Sequence, residues 1–145
     1  MSLFSVMNIA GTALAAQTVR LNVTASNMAN ADSAASSIAS TYRARHPVFM
    51  PQFAQFNEGL EFDDLDDRAN VGVEVAGVIE SDAALRREYQ PGHPLADADG
   101  YIFLPNVNVV EEMANMISAS RSYQTNVEIM EASKQMLART LALGQ

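Results

Sequence analysis

Apolar residues recur every seven positions at both ends of the chain. Near the start, Met7, Leu14, Leu21 and Met28 share one row. Near the end, Met113, Ser120, Val127, Lys134 and Leu141 form one row, and Met116, Tyr123, Met130 and Leu137 form a second, three residues on. Apolar residues at this spacing lie on one face of a helix, and sustained heptads describe a helix packed against another helix. The pattern predicts two long helices, over 3–30 and 109–143. At 1.5 Å per residue they span about 42 Å and about 52 Å. The first is rich in alanine and free of proline, as a long helix requires. The second has Asn108 to cap it, Glu111 placed to close a capping box, Arg139 toward the negative end and Gly144 as the stop.

Between the helices the period changes. Val71, Val73 and Val75 alternate with Gly72, Glu74 and Ala76, and Val78-Ile79 follow, which is the clearest strand signal. Tyr42–Phe49 alternates weakly before Pro51, and Tyr101–Leu104 is a third short candidate. Gln90–Pro94 and Asp97–Gly100 carry turn residues. The serine- and alanine-rich run 32–41 has loop composition. The predicted class is α+β: long N- and C-terminal helices packing as a coiled-coil-like pair, with a small β-rich middle. The organisation reads as an assembly helix over 1–31, a linker over 32–41, a β-rich region over 42–104 and a second assembly helix over 105–145. Residues 57–70, with Asp63, Asp64, Asp66 and Asp67, read as a solvated acidic loop.

Charge sharpens the picture. The net charge is -8, and it is concentrated in residues 57–104, where twelve acids face only Arg68, Arg86 and Arg87. There is no basic stripe to neutralise phosphates, which argues against nucleic acid and anionic membrane. The first helix is almost uncharged. Its polar positions are Asn8, Thr12, Gln17, Thr18, Asn22, Thr24 and Ser26, with Arg20 as its single charge. A helix with a solvated face carries charge there. Small neutral polar groups instead suit a helix enclosed on most sides.

No constellation for catalysis can be assembled. There is no cysteine, no Gly-x-Ser-x-Gly and no phosphate-binding glycine loop. His46 and His93 have no ligand-spaced partner. Asp97, Asp99 and Gly100 resemble the start of a calcium loop, but Ile102 and Asn108 stand where that loop needs Gly and Glu, so a turn is the better reading. The chain is read as a non-enzyme with no cofactor and no metal. Ala13-Leu14-Ala15 resembles a signal-peptidase site, yet no Lys or Arg precedes it and Asn8, Gly11 and Thr12 interrupt the apolar stretch. Export, if it occurs, is expected to use no cleaved signal.

Two stretches go beyond pattern. Residues 21–31, Leu-Asn-Val-Thr-Ala-Ser-Asn-Met-Ala-Asn-Ala, closely resemble the N-terminal signature of the flagellar rod, hook and related axial proteins. Residues 105–124, from Pro105-Asn-Val-Asn-Val-Val-Glu-Glu to Arg121-Ser-Tyr-Gln, resemble the C-terminal signature of short rod members of that family. Gly72–Val78, Tyr89–Pro94 and Ala96-Asp97 before Gly100-Tyr101 agree with it.

The resemblance implies a structural subunit of the proximal rod of the bacterial flagellar basal body, within the periplasm. It implies export through the flagellar type III apparatus. It also implies neighbours that are copies of the chain, other rod proteins and the adaptor at the MS ring, with neither nucleic acid nor a lipid anchor. The alternatives are another axial subunit of rod or hook type, or a soluble helical-hairpin adaptor. The expected assembly interface comprises the heptad residues Met7, Leu14, Leu21, Met28, Met113, Met116, Ser120, Tyr123, Val127, Met130, Leu137 and Leu141. Asn27 and Asn30, near the end of the first helix, are placed there for lateral hydrogen bonds to a neighbour, with a local helix-end role as the alternative.

Overall fold

The computed structural model describes residues 3–52 and 72–143. The order is α1 (Leu3–Ala29), β1 (Arg45–Gln52), β2 (Gly72–Glu80), β3 (Arg86–Tyr89), β4 (Tyr101–Leu104) and α2 (Val109–Leu143). The α+β class and both terminal helices follow the sequence expectation, and so do three of the four strands. The acidic run 57–70 and the stop at Gly144 lie outside the described residues.

Two compact units emerge. One comprises Met1–Val19, Val48–Gly77 and Ala119–Gln145; the other comprises Arg20–Pro47 and Val78–Ser118. Both helices contribute to each unit. In the first unit, the Met130 methyl carbon stands 3.8 Å from where a Cβ on Gly11 would be. In the second, Arg20 Nη2 donates to Asn115 Oδ1 at 3.1 Å. The one charge of α1 is therefore spent on α2.

β1 pairs with β2, and β3 with β4. Pro47 and Pro51 are tolerated inside β1 because a two-stranded ribbon leaves one edge of each strand unpaired. The Arg45 N–H points away from β2, toward Asn27. Pro47 and Pro51 share that parity, so the missing donors fall on the unpaired edge.

β3 was not legible in the sequence. Its residues, Arg-Arg-Glu-Tyr, are all exposed and carry no alternation. Pairing creates it: Arg86 stands opposite Leu104, Arg87 opposite Phe103, Glu88 opposite Ile102 and Tyr89 opposite Tyr101. The Tyr89 and Tyr101 rings meet edge to face at 5.1 Å. The connection is closed by Gln90 N to Gly100 O at 2.9 Å and Asp97 N to Tyr101 O at 2.8 Å. Asp97 Oδ1 accepts from the N–H groups of Asp99 and Tyr101. This aspartate is a turn residue that organises backbone donors, as the failed calcium-loop spacing suggested.

The packed centre of the second unit is small. Ala31, Ala44 and Val107 form it, with Tyr42 against them. Asn106 ties two segments of backbone around this centre, accepting from Ala44 N and donating to Ser81 O and Ala83 O.

In the first unit, Gly72 opens β2 at φ +144°, and a Cβ there would lie 2.3 Å from Thr12 Oγ1. The close approach lets that hydroxyl accept from Val73 N at 3.2 Å while donating to Ile9 O at 2.8 Å. Gly72→Ala is expected to cost about 2 kcal/mol, from strain at a positive φ and from the collision with a stiff β-branched side chain. A urea midpoint equal to the parent's would contradict this.

Candidate assembly surface

On α1 the predicted row Met7, Leu14, Leu21 and Met28 is half-buried throughout. The residues most deeply covered beside it are small or polar: Ala10, Ala16, Thr24 and Asn27. The exposed side is a narrow strip that includes Phe4, Asn8, Ala15, Thr18, Asn22 and Ala25, with no charge on it. Of the seven polar positions read as the outer face, Asn8, Thr18 and Asn22 are exposed, Thr12, Gln17 and Ser26 are half-buried, and Thr24 is buried.

On α2 the two predicted rows part company. Met116, Met130 and Leu137 are half-buried, and Tyr123 is 37% exposed. The row beginning at Met113 is mostly outward: Met113, Val127 and Leu141 are exposed, Ser120 is half-buried and Lys134 is exposed. The covered row is one residue earlier, with Glu112, Ala119 and Ser133 buried and Asn126 half-buried. Apolarity selects the largest side chains, whereas close contact within the chain selects small ones, so the row covered within the chain stands one residue before the Met113 row. Reading the small residues Ala119 and Ser133 as a seam would have found it.

The outward face leaves apolar surface in water. Val110 is 76% exposed, Ile117 57% and Met113 50%. These three stand at i, i+3 and i+7, one stripe of the first turns of α2. Asn108 caps that end through its Oδ1 to Val110 N, at 3.2 Å, rather than through the N–H of Glu111. Arg139 falls just short of the last turn, which holds no basic residue.

Asn27 and Asn30 serve their own chain. Asn27 is 0% exposed. Its Nδ2 donates to Arg45 O at 2.8 Å, and its Oδ1 accepts from Arg45 N and from the Tyr42 hydroxyl, both at 2.9 Å. One side chain thus imitates a strand partner for Arg45 and fixes the start of β1 against the end of α1. Asn30 Nδ2 donates to Ser26 O at 2.8 Å, a helix-end bond. The lateral-bond expectation is corrected for Asn27, whose amide is sealed from any neighbour; Asn30 is half-buried and makes the helix-end bond given as its alternative role. The distant partners of Asn27, Tyr42 and the first residue of a weakly patterned strand, gave no sequence signal.

Among the described residues, no group of three or more acids or histidines is placed to hold a metal ion. No described helix is long and apolar enough to cross a membrane.

Comparison with known proteins defines the class first. A family model described as flagella basal body rod protein matches residues 7–34, most of α1 and the turn after it. A second, described as flagellar basal body rod FlgEFG protein C-terminal, matches 98–143, which is β4 and α2. The flagellar basal-body rod protein FlgC of Salmonella typhimurium is 50% identical over 145 residues, covering all of both chains. That of Escherichia coli O157:H7 is equally similar, and that of Borreliella burgdorferi is 38% identical over 151 residues, covering all of this chain and 99% of its own. The chain belongs to the FlgC family of flagellar basal-body rod proteins. It is a structural subunit of the basal-body rod, in the periplasmic region of the basal body, and it assembles with other rod and flagellar proteins.

Proposed function

We propose that the terminal helices are the assembly elements of this rod subunit, and that the rod carries torque through their packed contacts. The observation behind this reading is the unpartnered stripe Val110–Met113–Ile117 on α2, together with the uncharged outer strip of α1. Apolar surface left in water favours association by about 25 cal/mol for each Å² covered. Many dispersion contacts spread along two long helices resist shear without any single critical residue. The neighbours are further copies of the chain, the other rod proteins and the adaptor at the MS ring. Delivery is through the flagellar type III export apparatus. Of the heptad residues, Met113, Tyr123, Val127 and Leu141 face outward, and the half-buried Met7, Leu14, Leu21, Met28, Met116, Ser120, Met130 and Leu137 flank them in this interface.

Helices whose outer faces are covered only in the rod gain their final stability there. In the isolated full-length chain, the amide hydrogens of 3–19 and 119–143 are expected to exchange much faster than those around Ala31, Ala44 and Val107. Incorporation into basal bodies is expected to slow them. Terminal helices already fully protected in a dilute monomer would favour the rival reading, a self-contained helical hairpin acting as a soluble adaptor.

A further inference from the structure

β3 is the open edge of its sheet. Its neighbour β4 is bonded on the far side to Ala35, through Ala35 N to Phe103 O at 2.9 Å and Phe103 N to Ala35 O at 3.0 Å. Arg87 stands opposite Phe103, and Tyr89 opposite Tyr101. In an antiparallel pair, opposite residues either exchange both hydrogen bonds or point both sets away from each other. Phe103 directs its groups to Ala35, so the N–H and C=O of Arg87 point out of the sheet. Those of Tyr89, two residues on, point the same way. Among the described residues no hydrogen bond reaches these four groups. Such a row on an exposed strand is a template for another strand. The open edge of β1 is blunted by Pro47 and Pro51, whereas β3 holds no proline.

The side chains over this edge set the chemistry of the strand it takes. Alternate residues of a strand share a face. Leu85, Arg87 and Phe103 line one cleft of about 490 Å³, together with Ile38, Arg43 and Ala84. The Arg87 guanidinium carbon lies 3.7 Å from the centre of the Tyr101 ring, and the Tyr89 ring meets that same ring. Tyr89 is 62% exposed and Ile38 57%, so apolar surface here is left open. Arg45 is bound to Glu80 and Arg86 stands by Asp32, but Arg43 and Arg87 have no ion pair among the described residues. Arg43 Nη1 donates to Ser81 O at 3.0 Å. A guanidinium has five donors, so both arginines keep donors for a carboxylate arriving from outside. An added strand passes Leu85, Arg87 and Tyr89 in turn, and the residues that match them are apolar, acidic and apolar.

We propose that an extended segment of another rod protein, with the pattern apolar–x–acid–x–apolar, adds to the open edge of β3. Its carboxylate meets Arg87, with Arg43 as the second cation of the cleft. Main-chain hydrogen bonds give such a contact its affinity, and the alternate side chains give it selectivity. Among the described residues, large apolar residues flank an acid in this way once, at Val109-x-Glu111-x-Met113, and that run lies in α2. A helix cannot extend a sheet, so the occupant is assigned to a different protein rather than to a second copy. The contact lies on the middle region and is independent of the stripe on α2.

In flagellated cells, the full chain carrying the photo-reactive residue p-benzoylphenylalanine in place of Ile38 replaces the parent. Isolated basal bodies are irradiated, and the linked peptides are sequenced by mass spectrometry. An adduct to another rod protein, within an apolar–x–acid–x–apolar run, is expected. Adding Arg87→Glu is expected to lower its yield about tenfold, the effect of losing one hydrogen bond between charged groups. An adduct to this chain, or to a second copy of it, overturns the proposal. So does an adduct to a segment without the pattern, or unlinked chain in rods that contain it.

Should the labelled chain not reach basal bodies, two substitutions decide. Tyr89→Pro deletes an outward N–H and leaves the bonds between β3 and β4 in place. Tyr89→Ala keeps that N–H. Motility in soft agar is expected to be lost in the first and kept in the second, at equal urea midpoints. Motility kept in both, motility lost in both, or a lower midpoint for Tyr89→Pro overturns the edge pairing.

Discussion

Asn27→Ala is expected to lower the stability of the isolated chain by about 3 kcal/mol, the sum of several unmet buried polar groups. The side chain is wholly buried and makes three hydrogen bonds to two residues. Truncation leaves the Arg45 N–H, the Arg45 carbonyl and the Tyr42 hydroxyl without that partner. The Tyr42 hydroxyl keeps a 3.3 Å contact with Ser26 Oγ, but neither Arg45 group has a substitute there. Asn27→Asp is a useful companion: it retains the acceptor for two donors, but it places a carboxylate opposite a carbonyl in a buried site. It is expected to be at least as damaging as alanine. Asn30→Ala, which loses only a helix-end bond to Ser26 O, is expected to cost under about 1 kcal/mol. Urea denaturation followed by circular dichroism measures all three, and equal midpoints for Asn27→Ala and Asn30→Ala would remove the clamp from the account.

The second large effect is on assembly, with stability left almost unchanged. Met113→Lys combined with Ile117→Lys places two charges on a stripe that is already half or more in water. In the isolated chain nothing is unpacked, so the helical signal and urea midpoint are expected to stay within about 0.5 kcal/mol of the parent. In the rod those side chains are to be covered by a neighbour, and an unpaired buried charge costs several kcal/mol per ion. Motility in soft agar is expected to be abolished, with the variant exported yet missing from basal bodies. Normal swimming by this variant would show that the Val110–Met113–Ile117 stripe faces solvent in the rod.

The two effects separate along a line that also divides what could be read from the residues. Asn27 sits in the segment whose resemblance to the axial-protein signature is strongest, yet its role was misassigned. A helix-end asparagine near a family boundary looked like a lateral contact. Its partners are fifteen and eighteen residues away, at Tyr42 before β1 and at Arg45, the first residue of that weakly alternating strand. The stripe on α2, by contrast, was visible as periodicity, but only the burial of Glu112, Ala119 and Ser133 revealed which row faces inward. Positions 112 and 113 are about 100° apart on a helix and both repeat every seven residues, so spacing alone cannot choose between them. β3 shows the same limit from another direction: four exposed residues with two adjacent arginines become a strand through pairing with Tyr101–Leu104.

The residues by themselves determined the two terminal helices, the β2 and β4 strands, the Asp97 turn and the family to which the chain belongs. Each of these depends on local spacing, capping or a contiguous signature, and local interactions are written in local sequence. Only the tertiary structure decided which heptad row is covered, which asparagine is sealed inside, and that Arg43 and Arg87 share one cleft with Ile38 and Phe103. Those outcomes depend on which surfaces stand opposite each other. Groups sixty residues apart, such as Arg43 and Phe103, become neighbours only when the backbone bonds Ala44–Ser81 and Ala35–Phe103 have closed.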